Sequence, residues 1–298
     1  MTYRLAIGDR SYSSWSLRGW LLFEKFGIAV TVETGVLYSE DLARLLDRFV
    51  PARLVPAMMT PEGEVVGESL AIAETLAERH PAAGIWPADP AARAMARYMC
   101  AEMHAGFRDL RNECPMNLRK SYADSAPSAA VRADLARIEA IWARARDRFG
   151  AGGPWLFGTY SAADAFFAPV SSRIATYNLP VGADAMAYVA AHLADPAFRR
   201  WRAMGLAEPV EQPSYRMPYA ERPWPGPAPR RAVPAEGPAE NLACPHSGGP
   251  VTHVLAMDGR KWGFCSAFCR DMTLADPEAW PAFMDMVRLR AASAAAGR

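Results

Sequence analysis

The sequence predicts an α+β protein in three parts, and three observations predict it. Strands and helices alternate over roughly the first eighty residues, almost everything from Pro90 to about residue 210 has helical periodicity, and a proline-rich stretch then precedes a short cysteine-bearing end. The 298 residues are 51% hydrophobic and 22% charged, an ordinary globular balance with material for about two cores. A net charge of +1 argues against a general polyanion binder. No apolar run approaches the roughly 18–20 residues of a bilayer span, and the start, MTYRLAIG, has no cationic region feeding a long apolar stretch, so no signal peptide is expected. Five cysteines are too few for a disulfide framework in a chain this long. A soluble, cytoplasmic, multidomain protein is the expectation, with no membrane partner.

Taken in order, residues 3–7 (YRLAI) form a short apolar run that suits a buried strand. Ser13 or Ser14 caps a helix through Arg18, Leu21, Leu22 and Phe26, closed by Gly27. Ile28 to Val36 alternates with β-branched residues and reads as a second strand, and Ser39 to Phe49 as a helix. Val55-Pro-Ala-Met-Met leads to a Glu62-Gly63 turn and the strand Glu64-Val-Val, and Ser69 to Arg79 is a strongly amphipathic helix. The order β-α-β-α-β-β-α defines a first domain at 1–82. In a second domain at 88–210, Ala91–Asn112 and Ala129–Phe149 carry apolar residues at helical spacing. There Ser161-Ala-Ala-Asp164 also places a capping hydroxyl three residues before an acid, ahead of the apolar AFFAPV.

Nine of the 25 prolines fall between Pro209 and Pro238. Each ring removes a backbone donor and fixes φ, so 211–241 is a semi-extended tether or a strap lying on a surface. Beyond it, 242–290 holds Cys244, Cys265 and Cys269, with His246 and His253 between. Asp258-Gly259 is a strong hairpin turn; it pairs His253 with Phe264 and brings His253 next to Cys265. Three thiolates and an imidazole suit tetrahedral Zn²⁺, and a segment this small would gain stability from a structural metal. His253 is preferred as fourth ligand, with His246 as the alternative, and a closed four-ligand site implies a structural role. Arg260, Lys261 and Arg270 interleave with Asp258, Asp271, Asp276 and Glu278, so nucleic-acid binding is not expected.

Four separate pieces in residues 3–210 carry a resemblance. They are Ser11-Tyr-Ser-Ser-Trp-Ser-Leu-Arg18, Leu54-Val-Pro56, Glu68-Ser69 before LAIAETLAERHP, and the Ser161–Asp164 box. Together they resemble the cytosolic glutathione S-transferases, nearest the serine-type zeta (maleylacetoacetate isomerase) class. The resemblance implies a thioredoxin-like first domain, an all-helical second domain and a homodimer. It also implies glutathione S-transferase activity on a small electrophile, or a related glutathione-dependent isomerase, reductase or peroxidase activity. A non-catalytic interaction protein on the same scaffold is the reading of another class.

Each motif has a physical reason. A thiol is mostly protonated at neutral pH, and a donating hydroxyl above a helix N-terminus favours the thiolate. By resemblance Ser14 fills that role, with Ser13 close behind and Ser16 after them. Val55, on a turn whose Pro56 is cis in the family, would meet the cysteinyl backbone of glutathione. Glu68 would accept from the γ-glutamyl ammonium, and Ser69 would donate to its carboxylate. Relatives carry a basic residue directly before Val-Pro; this chain has Leu54, leaving Arg53 or Arg44 to meet the glycyl carboxylate. Trp15 stands where zeta enzymes carry a cysteine, a departure from the isomerase pattern. Met103, Phe107, Leu110 and Arg111 recur at helical spacing, which makes Phe107 and Arg111 candidates to line the electrophile pocket, the arginine suiting an anionic co-substrate. The C-terminal segment resembles the YHS/TRASH-type treble-clef modules, with Ser247 in place of their second cysteine.

Overall fold

The computed structural model describes residues 2–296. They form two compact units: 2–195 with 210–226, and 196–209 with 227–296.

In the first unit, β1 (Tyr3–Ile7) lies between β2 (Val30–Thr34), which is parallel to it, and β3 (Ala57–Met59), which is antiparallel; β4 (Val65–Gly67) completes the order β2-β1-β3-β4. A parallel pair needs a crossover, and α1 (Ser14–Glu24) supplies it. Leu5, Ala6 and Ile7 are all fully buried, because the sheet is covered on both faces. That is why β1 reads as an unbroken apolar run. Two further helices follow the strands, α2 (Glu40–Leu46) and α3 (Ser69–Arg79). Leu45 of α2 packs with Phe49, Ala6 and Ala57.

At Gly19 of α1, a Cβ would stand 2.7 Å from Pro56 Cβ and 2.8 Å from its Cγ. Only glycine lets the helix lie this close to the Val55–Pro56 turn, whose peptide bond is cis. Gly19→Ala is expected to destabilise the unit by about 1–3 kcal/mol through overpacking, although alanine is the better helix former. A urea midpoint at or above the wild-type value would contradict this account.

The expected helix Ala91–Asn112 is two helices, α4 (Pro90–Ala105) and α5 (Arg108–Glu113). Gly106 donates its N–H to Glu102 O and ends α4, and Phe107 turns the chain at φ 57. The Asp134 carboxylate then accepts from Leu110 N at 3.0 Å and holds the first turn of α5. Periodicity counted across this break does not describe one face. The helices α6 (Ala129–Phe149), α7 (Ala162–Tyr177) and α8 (Ala183–Ala194) follow. Every residue of α7 is buried, and the Ser161–Asp164 capping box opens it.

In the second unit, α9 (Pro196–Ala207) packs against α10 (Ala267–Ala275), where Arg199 donates to both carboxylate oxygens of Asp276 at 2.7 and 2.6 Å. Helix α9 thus sits with the cysteine-bearing end, whereas its sequence places it at the end of the helical domain. Strands β5 (Ala232–Ala235), β6 (His253–Met257) and β7 (Arg260–Phe264) form an antiparallel sheet in that order. β5 comes from the proline-rich stretch, and Pro234 is tolerated because β5 is an edge. Asp258 and Gly259 both have positive φ (53° and 73°), as a two-residue turn of the hairpin type requires. The chain ends in α11 (Pro281–Ala296), whose Phe283 packs into a core of Cys244, Leu255, Met257, Trp262 and Phe264. Among the described residues no helix is long and apolar enough to cross a membrane.

Candidate functional site

A cavity of about 760 Å³ opens in the first unit where α1, the Val55–Pro56 turn and the start of α3 converge. The end of the loop after β1 and the first turn of α1 carry three serines in different roles, of which Ser13 and Ser14 line the cavity. Ser13 is the N-cap of α1: its hydroxyl accepts from Ser16 N at 3.3 Å and donates to Ser16 Oγ at 2.7 Å. Ser16 is fully buried and accepts from Gly8 N at 2.9 Å. Ser14 is the first helical residue and lines the cavity, and its Oγ accepts from Arg173 Nη2 at 3.3 Å. Ser13 is therefore spent on the helix, while the Ser14 hydroxyl proton is left to donate into the cavity.

Arg173 comes from α7 and is itself fixed: Nε donates to Cys114 O at 2.9 Å and Nη1 to Pro169 O at 3.4 Å. Burial, with Arg111 nearby, pulls its pKa down to about 10, so it stays charged at neutral pH. Arg18, fully buried on α1, lies 4.4 Å from the Trp15 ring, and Arg111 lies 5.1 Å from it. Arg18 Nε and Nη1 are buried without a hydrogen-bond partner. Burial lowers the pKa of Arg18 and of Arg111. Arg111 and Arg173 line the cavity and Arg18 is buried beside Trp15, and guanidiniums in so partly dehydrated a place favour a bound anion, a thiolate included.

Glu68 lines the cavity from the start of α3, and Ser69 follows it without lining the cavity itself. Glu68 takes φ 61 immediately before α3, a strained conformation for a non-glycine residue of the sort found at binding sites. Its carboxylate lies 3.5 Å from His104 Nε2. Burial keeps the His104 pKa below its usual value, so the ring is neutral at pH 7. Ser69 opens α3, is fully buried, and its hydroxyl has no hydrogen-bond partner within the protein.

Of the residues expected at the site, Ser13, Ser14, Arg53, Val55, Glu68 and Arg111 line the cavity. Arg44 does not; it pairs with Glu40 on the exposed side of α2 at 3.2 Å. Phe107 does not line it either, because the break after α4 turns it into the core. Arg111 reaches the cavity differently from the expected shared face: its Nη2 donates to the carbonyls of Met103, His104 (3.0 Å) and Gly106 (2.6 Å) at the end of α4. Sequence reasoning missed Tyr12, Tyr38, Arg173 and Tyr215. Tyr215 sits in the proline-rich strap; its hydroxyl bonds that of Tyr38 at 2.7 Å, and its ring packs on Tyr12 at 5.2 Å. Gln212 in the same strap donates to Asp9 at 2.7 Å.

In the second unit the sulfur atoms of Cys244, Cys265 and Cys269 lie within 4.8 Å of one another. Cys244 sits on a tight turn closed by Cys244 N to Gly249 O and Gly248 N to Cys244 O, both 2.9 Å. Cys265 follows β7, and Cys269 lies in the first turn of α10, capped by Ser266. Burial opposes ionisation of Cys244, but the N–H groups of Cys265, His246 and Ser247 outweigh it and bring the thiol to about 7. Burial raises the Cys269 thiol to about 11 instead, so the fit to a thiophilic cation rests on three sulfur atoms brought this close together.

His253 is not in this cluster. It does pair with Phe264, as expected, but paired residues share a face and the next residue, Cys265, points the other way. Its Nδ1 bonds Thr252 Oγ1 at 2.9 Å. His246 is outside too: Nε2 bonds Thr273 Oγ1 at 2.8 Å, the ring packs against Phe264 and Trp280, and burial lowers its pKa to about 4.

Comparison with known proteins agrees with the first unit. Residues 12–79 match the N-terminal domain of the glutathione S-transferases. A probable maleylacetoacetate isomerase of Caenorhabditis elegans is 36% identical over 103 residues, a match spanning 35% of this chain and about half (47%) of that protein. A glutathione transferase homologue of Burkholderia GL BGR1, solved with bound glutathione, superposes with a TM-score of 0.52 at 22% identity over 69% of this chain and 98% of its own. A glutathione S-transferase of Rhodospirillum rubrum F11 gives 0.52 at 20% identity over 74% and 97%. The chain has the thioredoxin-like and helical fold of these transferases.

Proposed function

We propose that the first unit is a glutathione transferase that activates the tripeptide's thiol at Ser14 and directs it at a small electrophile. The observation that carries this reading is the division of labour among the serines: Ser13 is consumed by the helix cap, and Ser14 faces the cavity held by Arg173. Arg173 donates to the Ser14 oxygen, so the Ser14 proton is directed to the glutathione sulfur. That bond, the N-terminus of α1 and the guanidiniums around Trp15 all favour the thiolate over the thiol. The thiol proton passes to solvent. The sulfur lone pair forms the C–S bond, and the leaving group departs with its bonding electrons, or the pair moves on to an acceptor that solvent protonates. Glu68 accepts from the γ-glutamyl ammonium, the unpartnered Ser69 hydroxyl donates to its carboxylate, Val55 offers backbone groups to the cysteinyl unit, and Arg53 meets the glycyl carboxylate. The cavity volume lies within the range of about 300–1,000 Å³ usual for small-molecule sites. The likeness to a maleylacetoacetate isomerase keeps glutathione-dependent isomerisation as the nearest variant, since it needs the same thiolate.

The second unit, on this reading, carries a structural zinc ion held by Cys244, Cys265 and Cys269. The ion would cross-link the Cys244 turn, the end of β7 and the start of α10.

A glutathione titration by calorimetry at pH near 7 tests the transferase reading. Wild type is expected to bind in the micromolar-to-millimolar range, and Ser69→Ala to lose about 1–3 kcal/mol, the value of a hydrogen bond to a charged group. No binding by wild type would end this reading.

A further inference from the structure

We propose that the metal ion of the second unit is held by protein through three thiolates only, and that its fourth position, beside the Ser247 hydroxyl, holds a water molecule that a small thiol can replace. The inference rests on the three-cysteine metal reading above and changes its character. A closed four-ligand site is structural, whereas a site with one exchangeable position can take up and release a ligand.

Four observations carry it. The Cys265 and Cys269 sulfurs are 3.7 Å apart, close to the edge of about 3.8 Å that two thiolates span on a tetrahedral ion with Zn–S bonds of about 2.3 Å. Neither imidazole joins the sulfurs: His253 Nδ1 bonds Thr252 Oγ1, and His246 Nε2 bonds Thr273 Oγ1 with its ring packed against Phe264 and Trp280. Among the described residues no other cysteine, histidine or carboxylate joins the three sulfurs. Ser247 borders one side of the cluster: its Oγ donates to Cys265 Sγ at 3.1 Å and accepts from Gly249 N at 3.2 Å.

The accessibility of that side fits exchange. Ser247 is exposed, and Cys265 and Cys269 are half-buried, so solvent reaches the cluster from the serine side. Gly249 keeps it open: a Cβ there would stand 3.3 Å from Ser247 Oγ and 3.4 Å from Cys265 Cβ. A neutral hydroxyl is a weak ligand for a thiophilic ion but a good hydrogen-bond partner for a water or a thiolate bound to it. In the exchange the thiol gives its proton to solvent, its sulfur takes the metal, and the water leaves intact. No electrons change hands.

Cobalt(II) added to the full chain stripped of metal by a chelator reports directly on the ligand set. The expected result is one ion per chain that protects Cys244, Cys265 and Cys269 from a thiol reagent, Cys100 and Cys114 being buried with or without it, and visible absorption bands that shift when 2-mercaptoethanol is titrated in. Ser247→Cys is expected to give a four-thiolate spectrum from the outset and to lose the response; His253→Ala and His246→Gln should leave the wild-type bands in place. Bands that change in either histidine variant, or a wild-type spectrum indifferent to added thiol, would overturn the open position while leaving the metal reading intact. Absence of any bound ion would remove both. The thiol titration uses the wild-type chain, so the outcome does not depend on any variant folding.

Discussion

Replacing Ser14 by alanine is expected to lower kcat/KM for conjugation of glutathione to an activated aryl halide by about 10²–10³-fold, the usual effect of removing one donor from a developing or resident anion in a pocket. Glutathione affinity is expected to change little, because the proposed reading gives the tripeptide's ends to Glu68, Ser69 and Arg53 and not to this hydroxyl. The unfolding midpoint should also stay near wild type, since Ser14 is the first residue of α1 and not its cap. The pH profile gives the sharper test. A donor to sulfur lowers the thiol pKa from the ordinary value of about 8.5, so wild-type kcat/KM should reach its plateau below that pH. In Ser14→Ala the thiol returns toward its ordinary value, and the rate should keep rising through pH 8–9. Ser13→Ala is the control: loss of the cap should cost about 1 kcal/mol of stability and leave the pH profile where it was. A shifted profile in Ser13→Ala with none in Ser14→Ala would reverse the roles assigned to the two serines.

The contrast between those serines shows what a sequence can and cannot convey. Capping signals are local, so a serine cap at Ser13 or Ser14 for α1 and Ser-x-x-Asp before α7 are both legible, as is the Asp258-Gly259 turn that sets the His253–Phe264 register. Both Ser13 and Ser14 line the cavity, but only Ser14 accepts from Arg173, 159 residues away in sequence, and no local pattern contains that distance. The one hint was chemical: Arg18 and Arg173 are lone cations within otherwise apolar helical runs, and a buried cation calls for a reason. The misplaced residues fail for equally specific causes. Phe107 was counted on a helix face that Gly106 interrupts. His253 was judged by proximity along the hairpin, where side-chain alternation sends it and Cys265 to opposite sides. Tyr215 lies in a proline-rich segment without periodicity, and its place on the cavity wall is decided by Tyr12 and Tyr38.

A second large effect is expected at Asp164, which holds the start of α7 to the rest of the first unit. Its Oδ1 accepts from Leu156 N at 3.1 Å and from the Tyr188 hydroxyl at 2.8 Å; its Oδ2 accepts from Ser161 N at 2.8 Å and from Ser161 Oγ at 3.1 Å. All of these groups are buried. Asp164→Ala would strand four donors at once, and a loss of about 3–5 kcal/mol is expected, since each orphaned donor carries a desolvation cost and the bonds are to a charged acceptor. Asp164→Asn keeps the shape but turns an NH₂ toward one pair of donors, so it should fall between wild type and alanine, and it serves if the alanine variant does not fold. Burial outweighs the four donors and raises the Asp164 pKa to about 6, against 3.8 for an unperturbed aspartate. The folded state therefore binds more protons than the unfolded chain between those values. The aspartate's contribution is fully present below about pH 4 and declines as pH rises through 6. The stability gap between wild type and Asp164→Asn in urea denaturation should accordingly be wider at pH 4 than at pH 7. A gap that widens toward pH 7 would mean that the four donors dominate and that the carboxylate is held ionised in the fold.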